Sequence, residues 1–324
     1  MKYILYGGGH DGVIAMNYLG KENVLCFCDN NKIGGTIEGL PVIGPGTLND
    51  YTSDAVVVIA VSKPLYIAEI ARNLSEQNIS FVFWQDLAAE IIRKEGKRFS
   101  ELSERKSFMY DPSKEYIIST DKYNEAGTIT SYFWQDLWAA RHIYNKKPEM
   151  HYDIGSRVDG FITHLLSFGQ KVTQIDIRPL DVVVDGYGFI CADATNLDGI
   201  DDNSIDSLSA LCSLEHFGLG RYGDDIDPEA CFKCFKAIQR VMRKDGLTYI
   251  SVPIGKEHLE FNAHRVFCPQ TIIEAFDKMS LIEFHSCYGS NMEQNINPHC
   301  YDDFDEYGGE RYGLFLFQKV ICDD

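Results

Sequence analysis

Short apolar runs alternate with segments whose apolar residues recur at helical spacing, and this alternation fills two blocks of the chain. Strands that alternate with helices pair in parallel, so each block predicts an α/β sheet. In the first block we predict, in order, strand 2–6, helix 13–19, strand 23–28, apolar runs at 40–45 and 54–61, helix 65–76 and strand 79–83. Together they predict a small Rossmann-like domain over residues 1–90.

The second block follows an aromatic helix predicted at 132–144. Its strands are predicted at the stretch beginning at 151 and at 171–176, 188–193, 206–212, 247–252, 281–287 and 314–320, with helices at 160–167 and 228–242. This pattern predicts a second parallel-sheet domain over 131–324. Residues 91–130 are rich in charge and turn formers and are predicted to be a connector.

The amino-acid composition argues against some classes of binding partner. The formal net charge is -18, from 48 acidic and 30 basic residues, which argues against nucleic acid or an anionic membrane surface as the main partner. No stretch reaches the roughly 18 apolar residues of a membrane span, and the first residues run straight into a strand, so we expect a cytoplasmic protein. The ten cysteines are scattered, often in apolar runs, as expected of reduced thiols; Cys231 and Cys234 fit core packing better than zinc.

A glycine-rich turn follows the first predicted strand. Gly7, Gly9 and Gly12 satisfy G-x-G-x-x-G, with His10 inside the turn, and the second strand ends at Asp29, where such turns place a ribose-binding acid. The turn predicts a nucleotide or nucleotide-sugar site. The alternative is that the glycines only close a tight turn between strand and helix.

The first block resembles the small Rossmann-like domain at the front of many sugar-modifying proteins, including sugar acetyltransferases of bacterial glycan pathways. The resemblance covers residues 1–87 and is carried by YGGGHDG, FCDNNKIGG and GLPVIGPGTL. In the acetyltransferases this domain holds the nucleotide sugar. An NAD-dependent dehydrogenase is disfavoured because the second half of a dinucleotide fold does not follow.

In the second block, three predicted strands end in acids, namely Asp153, Asp176 and Asp193. Gly155 follows the first of them and opens a predicted helix. Ligands of open α/β sheets bind at the carboxyl ends of the strands, where such acids can hold hydroxyl and amino groups. The alternative role for each acid is to cap the turn or helix that follows.

The order of elements resembles class I S-adenosylmethionine-dependent methyltransferases from about residue 152 onward. The matching stretches are the turn after Asp153, CADATNL, DDNSIDSLSALCSLEHFG and RVMRKDGLTYISVP. The resemblance implies S-adenosylmethionine as cofactor, with Asp176 at the ribose, Asp193 at the adenine and the fourth-strand motif beside the methyl group. The residues expected to bind it are Asp153, Gly155, Ser156, Asp176, Ile177, Asp193, Ala194 and Cys212.

The stretches DIGSRVDGF, LEHFGLGRYGD and FNAHRVF also resemble a family of uncharacterised proteins near those methyltransferases. The glycine turn departs from the methyltransferase pattern. Arg157 and Asp159 occupy positions where glycines are typical, and Gly160 is displaced. Side chains at crowded turn positions can block the approach of a ligand.

Candidate catalytic residues follow the fourth and fifth strands. We expect His216 to act as base, supported by Glu215, with His264 facing the substrate, because neutral imidazole accepts a proton near pH 7. Arg265 and Arg221 are candidates for binding an anionic group of the substrate. The alternatives are a histidine that orients its loop and an arginine in a salt bridge. The acids at 224, 225 and 227 are expected to be solvated, and no metal site is predicted.

The sequence therefore predicts a methyltransferase that acts on a sugar, a nucleotide sugar or a glycan precursor, within carbohydrate biosynthesis. The partner is a small-molecule substrate, and a homo-oligomer is compatible with the sequence. The alternative is a non-catalytic nucleotide-binding or scaffold protein with a degenerate methyltransferase fold. The enzymatic hypothesis requires the carboxylates at 153, 176 and 193 to meet in one hollow that Arg157 does not fill.

Overall fold

The computed structural model describes residues 1–124, 126–304 and 311–320. The chain divides into two compact units, Met1–Gly127 and Thr128–Asp324. The division lies beyond the domain boundary predicted at residue 90, and most of the predicted connector belongs to the first unit. The reason is a helix at Trp84–Leu102 that continues through residue 90 and buries Trp84 and Ala88 in the core of the first unit.

The first unit contains one mainly parallel sheet. Its strand order is β3-β4-β2-β1-β5-β6, and only the β3–β4 pair is antiparallel. The elements are β1 (Lys2–Tyr6), α1 (His10–Leu19), β2 (Val24–Cys28), β3 (Thr36–Ile37), β4 (Leu40–Ile43), β5 (Ala55–Ile59), α2 (Pro64–Glu76), β6 (Phe81–Phe83) and α3 (Trp84–Leu102).

Consecutive residues of β1 enter two different cores. Leu5 packs with Ile14 of α1 and Trp84 of α3 on one face of the sheet. Ile4 packs with Leu74 of α2 on the other face. Because helices cover both faces, the strand is apolar at successive positions instead of alternating.

The second unit contains an eight-stranded sheet, flanked by helices, and a separate two-stranded ribbon. Its elements are α4 (Ser131–Lys146), β7 (His151–Ile154), α5 (Thr163–Ser167), β8 (Val172–Asp176), β9 (Tyr187–Cys191), β10 (Ile205–Leu211), α6 (Ala230–Val241), β11 (Met242–Pro253), β12 (His258–Glu260), β13 (His264–Val266), α7 (Pro269–Ala275), β14 (Met279–Tyr288), β15 (Asn291–Glu293) and β16 (Arg311–Lys319).

The order of the large sheet is β15-β14-β16-β11-β10-β7-β8-β9. Strands β9, β8, β7, β10 and β11 are parallel, whereas β16 runs antiparallel to both β11 and β14. The predicted α/β fold class is confirmed, and the strand order is the one expected of a class I methyltransferase-like sheet. Strands β8 and β9 follow β7 on one side of it in the sheet, and β10 and β11 lie on its other side. Open sheets bind ligands at such a point of reversal.

Helices cover both faces of the large sheet. Trp138 of α4 and Leu165 of α5 pack on one face, and Phe235 of α6 and Ile272 of α7 pack on the other. Residues 244–246, which separate the predicted helix at 228–242 from the predicted strand at 247–252, lie inside β11, where the pairing with β10 shifts register and forms a bulge. Among the helices described, none has the length and apolar content needed to cross a bilayer.

Candidate functional site

The carboxyl ends of β7, β8, β9 and β10 open into two adjoining cavities. Cavity A has a volume of about 580 Å³ and is bordered by the turn after β7, including Ser156 and Arg157. Cavity B has a volume of about 510 Å³ and lies at the end of β9, bordered by Asp193 and Ala194. Both cavities are lined by Gly155, Asp176, Arg178, Cys212, His216 and Tyr222.

Gly155 shapes the turn between the cavities. Its φ of 69° lies in the left-handed region, which favours glycine. A Cβ at this position would lie 3.0 Å from Cβ of Ser213, which follows β10. Two constraints therefore select glycine here, the backbone angle and the approach of the neighbouring strand end.

Asp153 lies beneath this turn and not in the crevice. Its side chain is fully buried and accepts hydrogen bonds from the backbone N–H of Ser156 at 2.9 Å, from Ser156 Oγ at 2.7 Å and from Ser209 Oγ. Burial raises the pKa of Asp153 to about 6. It lines neither cavity, so the expectation that the carboxylates at 153, 176 and 193 meet in one hollow requires correction. The strand places Asp153 where it holds the turn together.

Asp176, the predicted ribose-binding acid, borders both cavities, but its carboxylate is already paired. Arg178 donates from Nε at 3.0 Å and from Nη2 at 2.7 Å to the two carboxylate oxygens of Asp176. The guanidinium group also lies 4.4 Å from the centre of the Tyr222 ring. Arg178 and Tyr222 therefore form a bridge across the crevice at the predicted ribose-binding acid.

Cavity B contains three further residues expected to bind the cofactor, namely Ile177, Asp193 and Ala194. Asp193 follows the end of β9 and is exposed. Its Oδ1 accepts the backbone N–H of Thr195 at 2.8 Å. Asp193 therefore stabilises its own turn and also borders cavity B. Ligand binding and capping of the turn, the two alternative roles for this acid, are compatible.

Arg157 does not fill the crevice. Its guanidinium donates to Asp159 at 3.1 and 2.8 Å, and the two side chains are 67% and 74% exposed. Arg157 and Asp159, which stand where the methyltransferase pattern has glycines, thus neutralise each other's charge and are largely exposed to solvent. The displaced Gly160 has its own role, because a Cβ there would lie 2.8 Å from Oδ2 of Asp136 on α4.

The predicted catalytic residues lie together on the wall of cavity A, which is lined by Glu215, His216, Arg221 and His264. His216 Nδ1 lies 2.7 Å from the carbonyl oxygen of Ala263. A carbonyl only accepts, so this short bond favours a proton on Nδ1 and a lone pair on Nε2 over the longer 3.3 Å approach of the Arg221 guanidinium to Nδ1. Burial lowers the pKa of His216 to about 4, so its ring is neutral at pH 7.

Glu215 and His264 lie close to that ring. Oε1 of the buried Glu215 is 3.6 Å from His216 Nε2. The rings of His216 and His264 are 6.4 Å apart. Arg221 Nη1 donates to the same carbonyl of Ala263 at 2.8 Å. The arrangement presents a neutral imidazole beside a buried carboxylate.

Arg265 is not part of this group, contrary to the expectation that it binds substrate. Its guanidinium donates to the backbone carbonyls of Phe217 at 2.6 Å and Pro228 at 3.2 Å. These bonds hold the loop between β10 and α6. Sequence reasoning missed this because the partners are backbone atoms distant along the chain.

The loop acids at 224–227 also have structural partners. Asp224 accepts the backbone N–H of Gly218 at 2.7 Å, and Asp227 pairs with Lys233 at 2.6 Å. Over the described ranges, no three or more His, Cys, Asp or Glu side chains are grouped in a way that could hold a metal ion.

Two residues of α4 were not predicted to belong to the site, Gln135 and Asp136. Both are buried and both line cavity A. Gln135 Oε1 accepts hydrogen bonds from Ser251 Oγ at 2.7 Å and Cys212 Sγ at 2.9 Å. The buried position of Asp136 could have been predicted from the sequence. Asp136 lies three and four positions before Ala139 and Ala140, which are buried, so it shares their face of α4.

Cys212 lines both cavities as expected, but its environment does not favour a thiolate. Burial raises its pKa well above the ordinary value, and the nearby Glu215 acts in the same direction. A neutral thiol is a poor nucleophile. Its role at the cavity is therefore to pack and to donate to Gln135.

In the first unit, the glycine turn is tied to Asp29. One oxygen of Asp29 accepts the N–H of Gly8 at 2.9 Å, and the other accepts the N–H of Asn31 at 2.8 Å. A Cβ at Gly12 would lie 2.0 Å from the carbonyl oxygen of Gly7, whereas a Cβ at Gly9 would meet no atom within 4 Å. Gly12 is thus required for the turn to pack. Gly9 and His10, at the start of α1, border open space.

Residues 196–313 match the model of a family described as a Caenorhabditis protein of unknown function, DUF268, which covers about a third of the chain. No curated protein matches the sequence.

Among solved structures, similar ones include a 1,6-didemethyltoxoflavin-N1-methyltransferase from Burkholderia thailandensis, with 1,6-didemethyltoxoflavin and S-adenosylhomocysteine bound. It is 18% identical, with 58% of this chain and 79% of that chain covered and a TM-score of 0.41. Others are S-adenosylmethionine-dependent methyltransferases from Clostridium acetobutylicum (12% identity, 58% and 92% covered, TM-score 0.39) and Methanosarcina mazei (16%, 56% and 97%, 0.40).

Proposed function

We propose that the second unit binds S-adenosylmethionine and transfers its methyl group to a small-molecule acceptor. The observation that supports this most is the crevice at the reversal point of the sheet, where Asp176 lies between the Gly155 turn and the Asp193 loop. A nucleoside fits these residues, because the turn is glycine where the strand ends approach and the Asp176 carboxylate can bind ribose hydroxyl groups once Arg178 is displaced from it. In this proposal cavity B holds adenine and Asp176 the ribose.

The proposed chemistry is an in-line displacement. S-adenosylmethionine held by the Gly155 turn and Asp176 would supply an electrophilic methyl group, for displacement from its sulfonium sulfur by an acceptor oxygen. The lone pair of His216 Nε2 takes the acceptor proton, and the adjacent Glu215 carboxylate offsets the low basicity of the buried ring by stabilising the imidazolium. The Nδ1 bond to Ala263 fixes the ring for this step.

The acceptor class proposed is a sugar, a nucleotide sugar or a glycan precursor. The support is the resemblance of the first block to domains that hold nucleotide sugars, together with the open space at Gly9. Arg221, on the wall of cavity A, is the candidate for an anionic group of the acceptor.

The test is calorimetric titration of the full chain with S-adenosylmethionine and S-adenosylhomocysteine, followed by turnover with a panel of nucleotide sugars. We expect binding of both ligands and methyl transfer to at least one acceptor. We expect Asp176→Ala to weaken donor binding by about 1 to 3 kcal/mol, the usual effect of removing a buried hydrogen-bond partner. The matched control is Asp185→Ala, which removes an exposed acid from the same loop region and is expected to leave affinity unchanged. Absence of binding to the wild-type chain would contradict the proposal.

A second candidate function is a non-catalytic binding protein. The observation that favours it is the Arg178–Asp176 pair, which occupies the carboxylate needed for ribose. Binding of S-adenosylhomocysteine without turnover across the panel would support this candidate over the enzyme.

A further inference from the structure

Asp136 is a buried acid at the edge of the crevice. Asp136 is 8% exposed and lies on the face of α4 that packs against the sheet. It lines cavity A beside Gly155, Ser156 and Arg157. Acids are rarely buried unless they are paired or perform a function.

The turn after β7 is shaped to admit this carboxylate. Oδ2 of Asp136 would be 2.8 Å from a Cβ at position 160, so the displaced glycine leaves room for the acid. Gln135 Nε2 donates to Oδ1 at a distance of 3.3 Å, which is a long hydrogen bond. Burial raises the pKa of Asp136 to about 6, so the carboxylate is mainly anionic at neutral pH at a cost in free energy.

The charges near Asp136 favour a cation from a ligand. Asp153 and Asp159 repel its negative charge, and Arg157 attracts it. Arg157 is itself bound to Asp159 through two hydrogen bonds. Arg157 therefore compensates the negative charge of Asp136 only in part. A ligand cation in cavity A would gain a favourable electrostatic interaction with Asp136.

We propose that Asp136 binds the α-ammonium group of the amino-acid portion of the methyl donor. This inference depends on the proposed function and deepens it. With adenine in cavity B and ribose at Asp176, the amino-acid portion extends into cavity A, toward the Gly155 turn and Asp136. Asp136 then selects donors that carry a free amine and holds the sulfur end of the donor in place through that contact.

The test compares two ligands on the full chain by calorimetry: S-adenosylhomocysteine and its deamino analogue, in which hydrogen replaces the amine. The wild type is expected to bind S-adenosylhomocysteine about ten- to a hundredfold more tightly than the analogue, the usual range for a hydrogen bond between charged groups. In Asp136→Asn this preference is expected to fall to within about twofold, with affinity for the analogue unchanged. The control Asp159→Asn neutralises an exposed acid of the same cavity and is expected to keep the full preference.

The outcomes separate the inference from the proposed function. If neither ligand binds the wild type, the proposed function fails. If both bind the wild type with equal affinity, or if Asp136→Asn keeps the preference, the role of Asp136 is contradicted and the proposed function stands. The comparison on the wild type needs no variant, so equal affinities for the two ligands would contradict the inference even if Asp136→Asn does not fold.

Discussion

At the scale of single residues, the site is defined by which acids face the crevice and which face the core. Asp153 lies one residue before the end of β7 and Asp176 ends the neighbouring β8, and the first stabilises the turn from below whereas the second borders both cavities. Successive side chains of a strand point to opposite faces, so a sequence pattern does not fix the direction of an acid at a strand end. The pair between Asp176 and Arg178 was equally hidden, because an arginine two positions along has many other orientations open to it.

Asp136 leads to a prediction about stability. Its folded pKa of about 6 lies above the ordinary value of 3.8, so the folded state binds the proton more tightly than the unfolded state. This group therefore contributes most to stability below about pH 4, and its contribution is lost as pH rises through about 6. We expect Asp136→Asn to increase the free energy of unfolding at pH 7, by on the order of 2 kcal/mol, and to have little effect near pH 4.

The measurement is urea unfolding of the full chain at both pH values. Asp159→Asn is the control, because the pKa of Asp159 is lowered by Arg157 and its loss is not expected to stabilise the protein. Equal or lower stability of Asp136→Asn at pH 7 would show that the buried charge is fully compensated.

At the scale of elements, the sequence predicts the strands and most helices well. Apolar runs such as those of β1 and β10 are buried on both faces and therefore stand out without alternation. The contribution of α4 was harder to predict. Its aromatic residues indicated packing against the sheet, but the approach of Asp136 to Gly160 depends on how helix and turn meet in space.

The glycine turn of the first unit gives a prediction at this scale. Gly12→Ala is expected to destabilise the first unit by several kcal/mol, because its Cβ would overlap the carbonyl oxygen of Gly7. The Gly9→Ala variant is expected to unfold at nearly the wild-type temperature, because its Cβ would meet no atom within 4 Å. Thermal unfolding followed by circular dichroism distinguishes the two, and equal effects would show that the turn rearranges freely.

At the scale of the whole molecule, two α/β units are present, and each has a sheet with helices on both faces. The sequence indicated this organisation through two blocks of alternating elements. The position of the division was not predictable, because charge and turn formers in 91–102 resembled a linker while the segment continues α3. The ligand of the first unit stays a prediction based on its glycine turn and resemblance.

The most direct test of the central claim is a crystal structure of the full chain soaked with S-adenosylhomocysteine. We expect adenine in cavity B near Asp193, the ribose hydroxyls on Asp176 with Arg178 displaced, and the amino-acid portion in cavity A. Electron density for the ligand elsewhere, or an unchanged Arg178–Asp176 pair at saturating ligand, would contradict the assignment of this crevice as a methyl-donor site.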